Sequence, residues 1–327
     1  MITDRDDWSP CCKILYKVDN LNIIRMSRAI LISGATGKQG GAVLNQLVKQ
    51  RAGVEILAVT RNPNSPSAQK LLKKSSNIKL VQGDLSDAAT IFKNARQVTK
   101  QPIWGVFSVQ SPMGQGDGAE VAQGKGLVDA ALDAGAKFFV YTSVDRHGQD
   151  SLNNPTQVPH FITKHEIEKH LISRTTGTDM QWFIIRPVAF MENLTDNFLG
   201  KSFVTAWKLV VKNKPLQLVT VTDVGVAGAQ AFLQPEKYAG RAVSLAGDEL
   251  TLEEFERIFK EKTGRDLPYT YSLVVYPIMA MVKELGYMFK WFKDQGFGAD
   301  LKALRKEYPE LMTFGTWLET DSDFAPK

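Results

Sequence analysis

A chain of 327 residues, 43% of them hydrophobic, is long enough to bury one large core or two modest ones. Its 40 basic and 35 acidic residues leave a net charge of +5 but are well mixed; the densest basic cluster, Lys70, Lys73 and Lys74, has the spacing of a solvated helix face, and no DNA-reading motif accompanies it, so nothing supports direct nucleic-acid binding. Cys11 and Cys12 are the only cysteines, which excludes a disulfide framework and a cysteine metal site and fits a reducing, cytoplasmic compartment.

The first 27 residues lack the charged, apolar and small-residue layout of a signal peptide, and their four acids and four bases cancel. Residues 1–27 are expected to form a disordered N-terminal extension, with 1–25 either disordered or not translated at all. Ala29 to Ile32 is a short apolar run with the pattern of a strand buried on both faces. Gly34-Ala35-Thr36-Gly37-Lys38-Gln39-Gly40 follows, then Val43, Leu44, Leu47 and Val48 at helical spacing. A strand that enters a glycine turn and leaves as a helix gathers bare backbone N–H groups and the positive helix end at one point. That arrangement suits the pyrophosphate of a dinucleotide.

The second strand, Val54 to Val59, ends at Thr60-Arg61-Asn62-Pro63. Dinucleotide folds place an acid about 20 residues past the glycine turn, where it accepts a hydrogen bond from the ribose 2′-OH of NAD. Arg61 stands 21 residues beyond Gly40 with no acid beside it in sequence. A guanidinium suits a 2′-phosphate by charge and fork geometry, and Lys38 adds a second positive charge, so NADP(H) is expected over NAD(H).

The third strand, Ile78 to Val81, runs into Gln82-Gly83-Asp84-Leu85, with Asp84 placed to cap the next helix, to sit beside the adenine, or both. The fourth, Gly105 to Val109, puts Ser108, Val109 and Gln110 at the cofactor edge and opens a loop to Gly116. A helix from about Asp117 to Ala134, with Gly135 as its C-cap, leads to a fifth strand, Lys137 to Thr142, that ends at Ser143. A helix from Pro159 to Ser173 and a sixth strand, Trp182 to Arg186, complete the alternation. The fold class is α/β, a doubly wound parallel sheet whose ligand crevice lies at the carboxyl ends of the strands.

Beyond Pro187 the order is less regular. Phe190-Met191-Glu192-Asn193 opens a helical region to about Val211, Leu216 to Thr220 reads as a strand, Asp223 starts a helix and Ala242 to Ala246 is another strand. Thr251-Leu-Glu-Glu254 has capping-box spacing. Leu273 to Trp291 is the most apolar late stretch, but Pro277, Lys283, Glu284 and Lys290 interrupt it, so it lacks the roughly 18 apolar residues of a bilayer span. It is expected to be a core or pocket-lining helix, and no membrane partner is expected. Residues 28–187 then form the dinucleotide-binding domain, and 188–327 a smaller α/β substrate or lid lobe partly interleaved with the main sheet.

His165 and His170 are five residues apart, about 140° around a helix, so they do not form a zinc-protease pair and no metal site is expected. His160 and Lys164 lie one helical turn apart on one face. Lys164 is expected to hydrogen-bond a nicotinamide ribose and to act as proton donor or electrostatic stabiliser, helped by His160 or Ser143. The alternative is a set of surface residues on an amphipathic helix.

Gly34-Ala-Thr-Gly-Lys-Gln-Gly40, the Thr-Arg-Asn-Pro at 60–63, Val81-Gln-Gly-Asp84, His160 with Lys164, and Arg186-Pro followed by Phe190-Met-Glu-Asn193 together resemble the NmrA-like family of atypical short-chain dehydrogenases/reductases. The similarity runs from about residue 28 to Thr316-Trp317-Leu318. It implies an NADP-binding Rossmann domain with a smaller C-terminal lobe, and adds Phe190, Met191, Glu192 and Asn193 to the cofactor-facing residues. It also implies one of two functions. One is reduction of a carbonyl, enone or quinone small molecule, in fungi within secondary metabolism. The other is a catalytically silent NADP(H) sensor that binds a transcription factor or another protein, in the nucleus as well as the cytoplasm. The Tyr-x-x-x-Lys of ordinary short-chain dehydrogenases is here His160-x-x-x-Lys164, so the usual phenol acid is absent. Isoflavone-reductase relatives keep the lysine without that tyrosine, which leaves reduction open.

Overall fold

Strands whose residues are apolar at consecutive positions have to be covered on both faces, and a parallel sheet between two helix layers does this. The computed structural model describes residues 28–111, 116 and 118–325. The expectation for the N-terminal extension, and much of the loop after the fourth strand, fall outside them. In the first half the strands are β1 (Ala29–Ile32), β2 (Glu55–Thr60), β3 (Ile78–Gln82), β4 (Ile103–Ser108), β5 (Phe138–Thr142) and β6 (Gln181–Pro187). Between them run α1 (Lys38–Lys49), α2 (Pro66–Leu72), α3 (Ala88–Val98), α4 (Ala119–Asp133) and α5 (Pro159–Thr175). Every residue of β1 and β5 is buried.

The second half contains β7 (Ala189–Phe190), β8 (Leu216–Val219), β9 (Arg241–Leu245) and β10 (Asp248–Leu250). Its helices are α6 (Phe198–Ala206), α7 (Val221–Leu233), α8 (Pro235–Tyr238), α9 (Leu252–Thr263), α10 (Ser272–Met281), α11 (Lys283–Asp294), α12 (Leu301–Glu307) and α13 (Phe314–Thr320). The main sheet has the order β3-β2-β1-β4-β5-β6-β9, and all its pairs are parallel. A second sheet, β10-β8-β7, pairs β8 antiparallel with β10 and parallel with β7.

Three apolar clusters follow from this layering. Ile30, Ile32, Phe107, Val140 and Phe183 meet α1, α7 and α12 on one face of the main sheet. The alternate residues Leu31, Val106, Phe139, Tyr141 and Ile184 meet α3, α4 and α5 on the other. The third cluster, built around Trp207, Phe255, Phe259 and Trp317, fills the second lobe. The second half thus builds a core of its own, to which Val144, Val158 and Phe161 of the first half contribute, and also supplies β9, α7 and α12 to the main one.

Two readings of this half need correction. The region from Phe190 to Val211 is not one helical stretch. Ala189–Phe190 is a strand, Met191–Asn193 a single 3-10 turn, and α6 starts only after Asn197, whose side chain caps it by accepting from the backbone N–H groups of Leu199 and Gly200. Asn is favoured at that position because its short carbonyl reaches orphan donors. Leu273 to Trp291 is not one core helix either. Pro277 lies inside α10 and removes a backbone donor. Val282 then leaves helical geometry (φ −90°, ψ 81°), and α11 departs at 104° to α10. The α11 end is buried through Phe289, Trp291 and Phe292, whereas in α10 only Val275 is buried and Leu273 is 87% exposed. Among the described residues no single helix is long and apolar enough to cross a membrane.

Candidate cofactor and active site

The glycine turn is set by close backbone approach. Gly34 has φ +60°, and a Cβ there would lie 2.7 Å from Val109 Cγ1. A Cβ on Gly40 would lie 2.5 Å from the Gly34 carbonyl oxygen, so only glycine lets the first turn of α1 close against the end of β1. Gly37 is the N-cap of α1 and offers no capping side chain, and the first turn holds no acid. Its free N–H groups and the helix dipole therefore favour an external anion. This cradle fits a dinucleotide pyrophosphate.

The neighbouring expected residues gather around this turn. Ser33 Oγ accepts from Val109 N at 2.9 Å, locking the end of β1 to that of β4. Thr142 Oγ1 donates to Gln39 Oε1 at 2.7 Å and brings the end of β5 to the same place. Gln110 is buried, donates through Nε2 to Ser108 Oγ at 2.9 Å, and keeps its Oε1 without a partner among the described residues. A buried acceptor at a strand's carboxyl end suits a donor on a bound ligand. Ala35 is buried, while Thr36 and Lys38 are exposed. The Lys38 charge bears on Glu192, whose Oε1 accepts from Val221 N at 2.8 Å. Burial raises the Glu192 carboxyl above its ordinary range, against the pull of that hydrogen bond and of Lys38. Met191 is buried beside it, Phe190 half-buried, and Asn193 exposed.

At the end of β2, Arg61 is exposed, and Asn62 Oδ1 accepts from Asn64 N at 3.0 Å. Asp84 does cap the following turn: its Oδ1 accepts from Ser86 N at 2.9 Å and Ser86 Oγ at 2.7 Å. Those two bonds, with a smaller contribution from the nearby Arg61 charge, hold the Asp84 carboxyl below its usual range. Leu85 packs partly into the α3–α4 side of the core.

The three expected catalytic residues are not linked to one another by any hydrogen bond among the described residues. Lys164 is buried, and its Nζ donates to Glu120 Oε1 at 2.7 Å. Thr163 Oγ1 donates to the other oxygen of the same carboxylate. His160 Nδ1 instead makes an ion-pair contact with Glu284 of α11 at 2.7 Å, which holds the Glu284 carboxyl below its usual range. Ser143 Oγ accepts from Arg146 Nη1 at 3.3 Å.

Behind Ser143 lies an arrangement the sequence reading missed. Arg146, Glu168 and Arg186 form a triad in which Glu168 accepts from Arg146 Nη2 at 2.9 Å, Arg186 Nε at 3.1 Å and Arg186 Nη2 at 2.7 Å. Burial opposes ionisation of Glu168, but the Arg186 hydrogen bond and the Arg146 charge outweigh it and hold the carboxyl low. Tyr141 has a fully buried phenol, pushed well up by burial and by the charges of Glu120 and Glu168. It points into the helix-covered core and so does not replace the missing phenol of the Tyr-x-x-x-Lys pattern. Among the described residues no cluster of three or more His, Cys, Asp or Glu side chains could hold a metal. His165 and His170 are spent on the Leu152 carbonyl and Asp129 respectively.

The model of the NmrA-like family matches residues 26–318. The chain belongs to the NmrA-like family. Among its relatives, an NmrA-like family domain-containing protein of Dictyostelium discoideum is 24% identical over 306 residues, covering 90% of this chain and 98% of the relative. Quinone oxidoreductase 2 of Escherichia coli is 32% identical over 258 residues, covering 79% and 82%. The structure of the NADPH-dependent quinone oxidoreductase QOR2 of Escherichia coli, complexed with NADPH, superposes with a TM-score of 0.67 at 21% identity, over 88% of this chain and 97% of that one. This NmrA-like chain therefore shares its fold with that quinone oxidoreductase.

Proposed function

We propose that this NmrA-like protein is an NADP(H)-dependent oxidoreductase that reduces a carbonyl, enone or quinone small molecule. The observation that carries the reading is the buried Lys164–Glu120 pair, an oriented ammonium donor close to the carboxyl ends of the parallel strands. When bound, the reduced nicotinamide supplies a hydride.

The chain's own residues have separable tasks. The free N–H groups at the start of α1 hold the pyrophosphate, and Arg61 with Lys38 holds the 2′-phosphate. Gln110 Oε1 accepts a hydrogen bond from the ligand. Lys164 Nζ has three protons, of which one is committed to Glu120 at 2.7 Å; the others have no partner among the described residues and would bond a ribose hydroxyl and the substrate oxygen. Lys164 Nζ would stabilise the negative charge developing on the substrate oxygen and would give that oxygen its proton. Ser143 is held by Arg146, and His160 by Glu284, so both act by shaping the site around Lys164.

The test is NADPH consumption against a panel of quinones, enones and aldehydes. Turnover that falls about 10²–10⁴-fold in Lys164→Ala supports the reading. Tight NADP(H) binding with no turnover on any of these, together with a protein captured in one cofactor state and not the other, would replace it with the regulator.

A further inference from the structure

The exposed large hydrophobic side chains of this protein are not scattered. Of the twelve among the described residues, nine lie on α6, α10, α11 and the residues joining or flanking them. Phe198 and Leu199 start α6, which packs against α10. Tyr271, Leu273, Tyr276 and Met281 belong to α10 or its cap and are 55–87% exposed. Scattered surface leucines need no explanation, but a contiguous apolar layer does. An α-helix that is apolar all round is normally buried, yet Val275 is the one fully buried residue of α10, with Met279 packed partly against the second-lobe core.

The sequence around this layer says what covers it. From Leu267 to Val282 there are sixteen residues without a charge. Three of the chain's eight tyrosines, Tyr271, Tyr276 and Tyr287, are exposed in or beside this run, the residue type that sits with its ring in an apolar phase and its hydroxyl in water. Segments 194–214 and 267–295 together hold seven lysines against three acids, which is +4 of the chain's net +5. The overall charge looks well mixed, yet its excess is concentrated in the two segments that carry the apolar layer. A two-fold contact with a second copy would bring two such cationic layers together. An anionic surface with an apolar interior matches both properties.

We propose that α10 and the start of α6 dock in the interfacial plane of an anionic lipid membrane. The bend of 104° between α10 and α11 prevents the pair from running straight through a bilayer, and leaves α10 free to lie flat at the headgroup–acyl boundary. Apolar side chains enter the lipid while the surrounding lysines meet the headgroups. This is peripheral docking, which needs no single spanning helix, and it stands independently of the redox chemistry.

Flotation of the full chain with phosphatidylcholine vesicles, with and without phosphatidylserine, tests it. The protein is expected to float with the phosphatidylserine vesicles and to dissociate as salt is added. Leu273→Glu, at a side chain the fold barely uses, lowers partitioning about tenfold. Lys212→Ser with Lys293→Ser lowers it severalfold. Leu72→Ser, an exposed leucine far along the chain, leaves it unchanged. Failure to float with phosphatidylserine vesicles overturns the proposal. If the protein then sediments as a dimer that Leu273→Glu dissociates, the layer belongs to a second copy. Flotation indifferent to Leu273→Glu overturns it equally.

Discussion

Glu168 accepts three hydrogen bonds from two arginines while being 1% exposed. Such a cluster loses most when one member is deleted, because an uncompensated charge stays buried. Glu168→Ala is expected to cost about 3–5 kcal/mol, read from the urea midpoint at constant slope. Arg61 is the opposite case, an exposed cation whose removal leaves the fold alone. Arg61→Ala is expected to weaken NADPH binding about tenfold or more while leaving NADH binding unchanged, measured by fluorescence titration. These residues also mark how far sequence patterns reach. Lys164 and Glu168 stand at the i, i+4 spacing of a helix-surface ion pair. In the structure each turns to a distant partner instead, Lys164 to Glu120 and Glu168 to Arg146 and Arg186. The sequence singles out Lys164 because it stands one turn from His160 on a helix that follows a strand end. Glu120, 44 residues earlier in the chain, carries no local signal of its role.

At the scale of elements, the contact that fixes the glycine turn is between α1 and α7. Gly225 in α7 sits so close to α1 that a Cβ would lie 2.7 Å from the Ala42 carbonyl carbon, and Gly228 meets Val43 in the same way. Gly225→Ala is expected to push the two helices apart, costing about 1–3 kcal/mol in stability and weakening dinucleotide binding with it. Thermal unfolding with and without NADPH reads both effects. The central strands of the main sheet are legible because β1, β4 and β5 are apolar at nearly every position and bounded by turn residues. In the second half the strands near 216–220 and 242–246 are legible too, and a helix start where capping chemistry marks it, as at Thr251 with Glu254. Periodicity failed at α10, since an apolar run reads the same whether a core or something outside the chain covers it. The break at 194–197 was missed because nothing apolar distinguishes its polar turn from a helix surface.

Across the whole molecule, Asp223 is where three parts of the chain meet. It closes the capping box of α7 with Thr220, accepts from Met312 N at 3.2 Å, and lies against Gly247. Burial pushes its carboxyl up to about 6, despite the hydrogen bonds from Thr220 and Met312. A raised carboxyl means that the folded protein keeps a proton the unfolded chain releases. Stability from this group is therefore full below about pH 4 and declines as pH rises to about 6, by up to roughly 3 kcal/mol. The unfolding free energy of the parent relative to Asp223→Asn should fall by that order between pH 4 and pH 7, measured by urea titration at each pH.

The path of the chain through its two lobes has a consequence for synthesis. β6 ends at Pro187, the chain then builds β7, α6 and β8 elsewhere, and only at Arg241–Leu245 does β9 return to cover the edge of β6. On the ribosome, an open parallel edge rich in Phe and Ile waits until more than fifty further residues have emerged. Such an edge is a template for pairing with other nascent chains. A gene cut after Pro187, though it keeps the whole glycine turn, should yield an aggregating product rather than a small nucleotide-binding module.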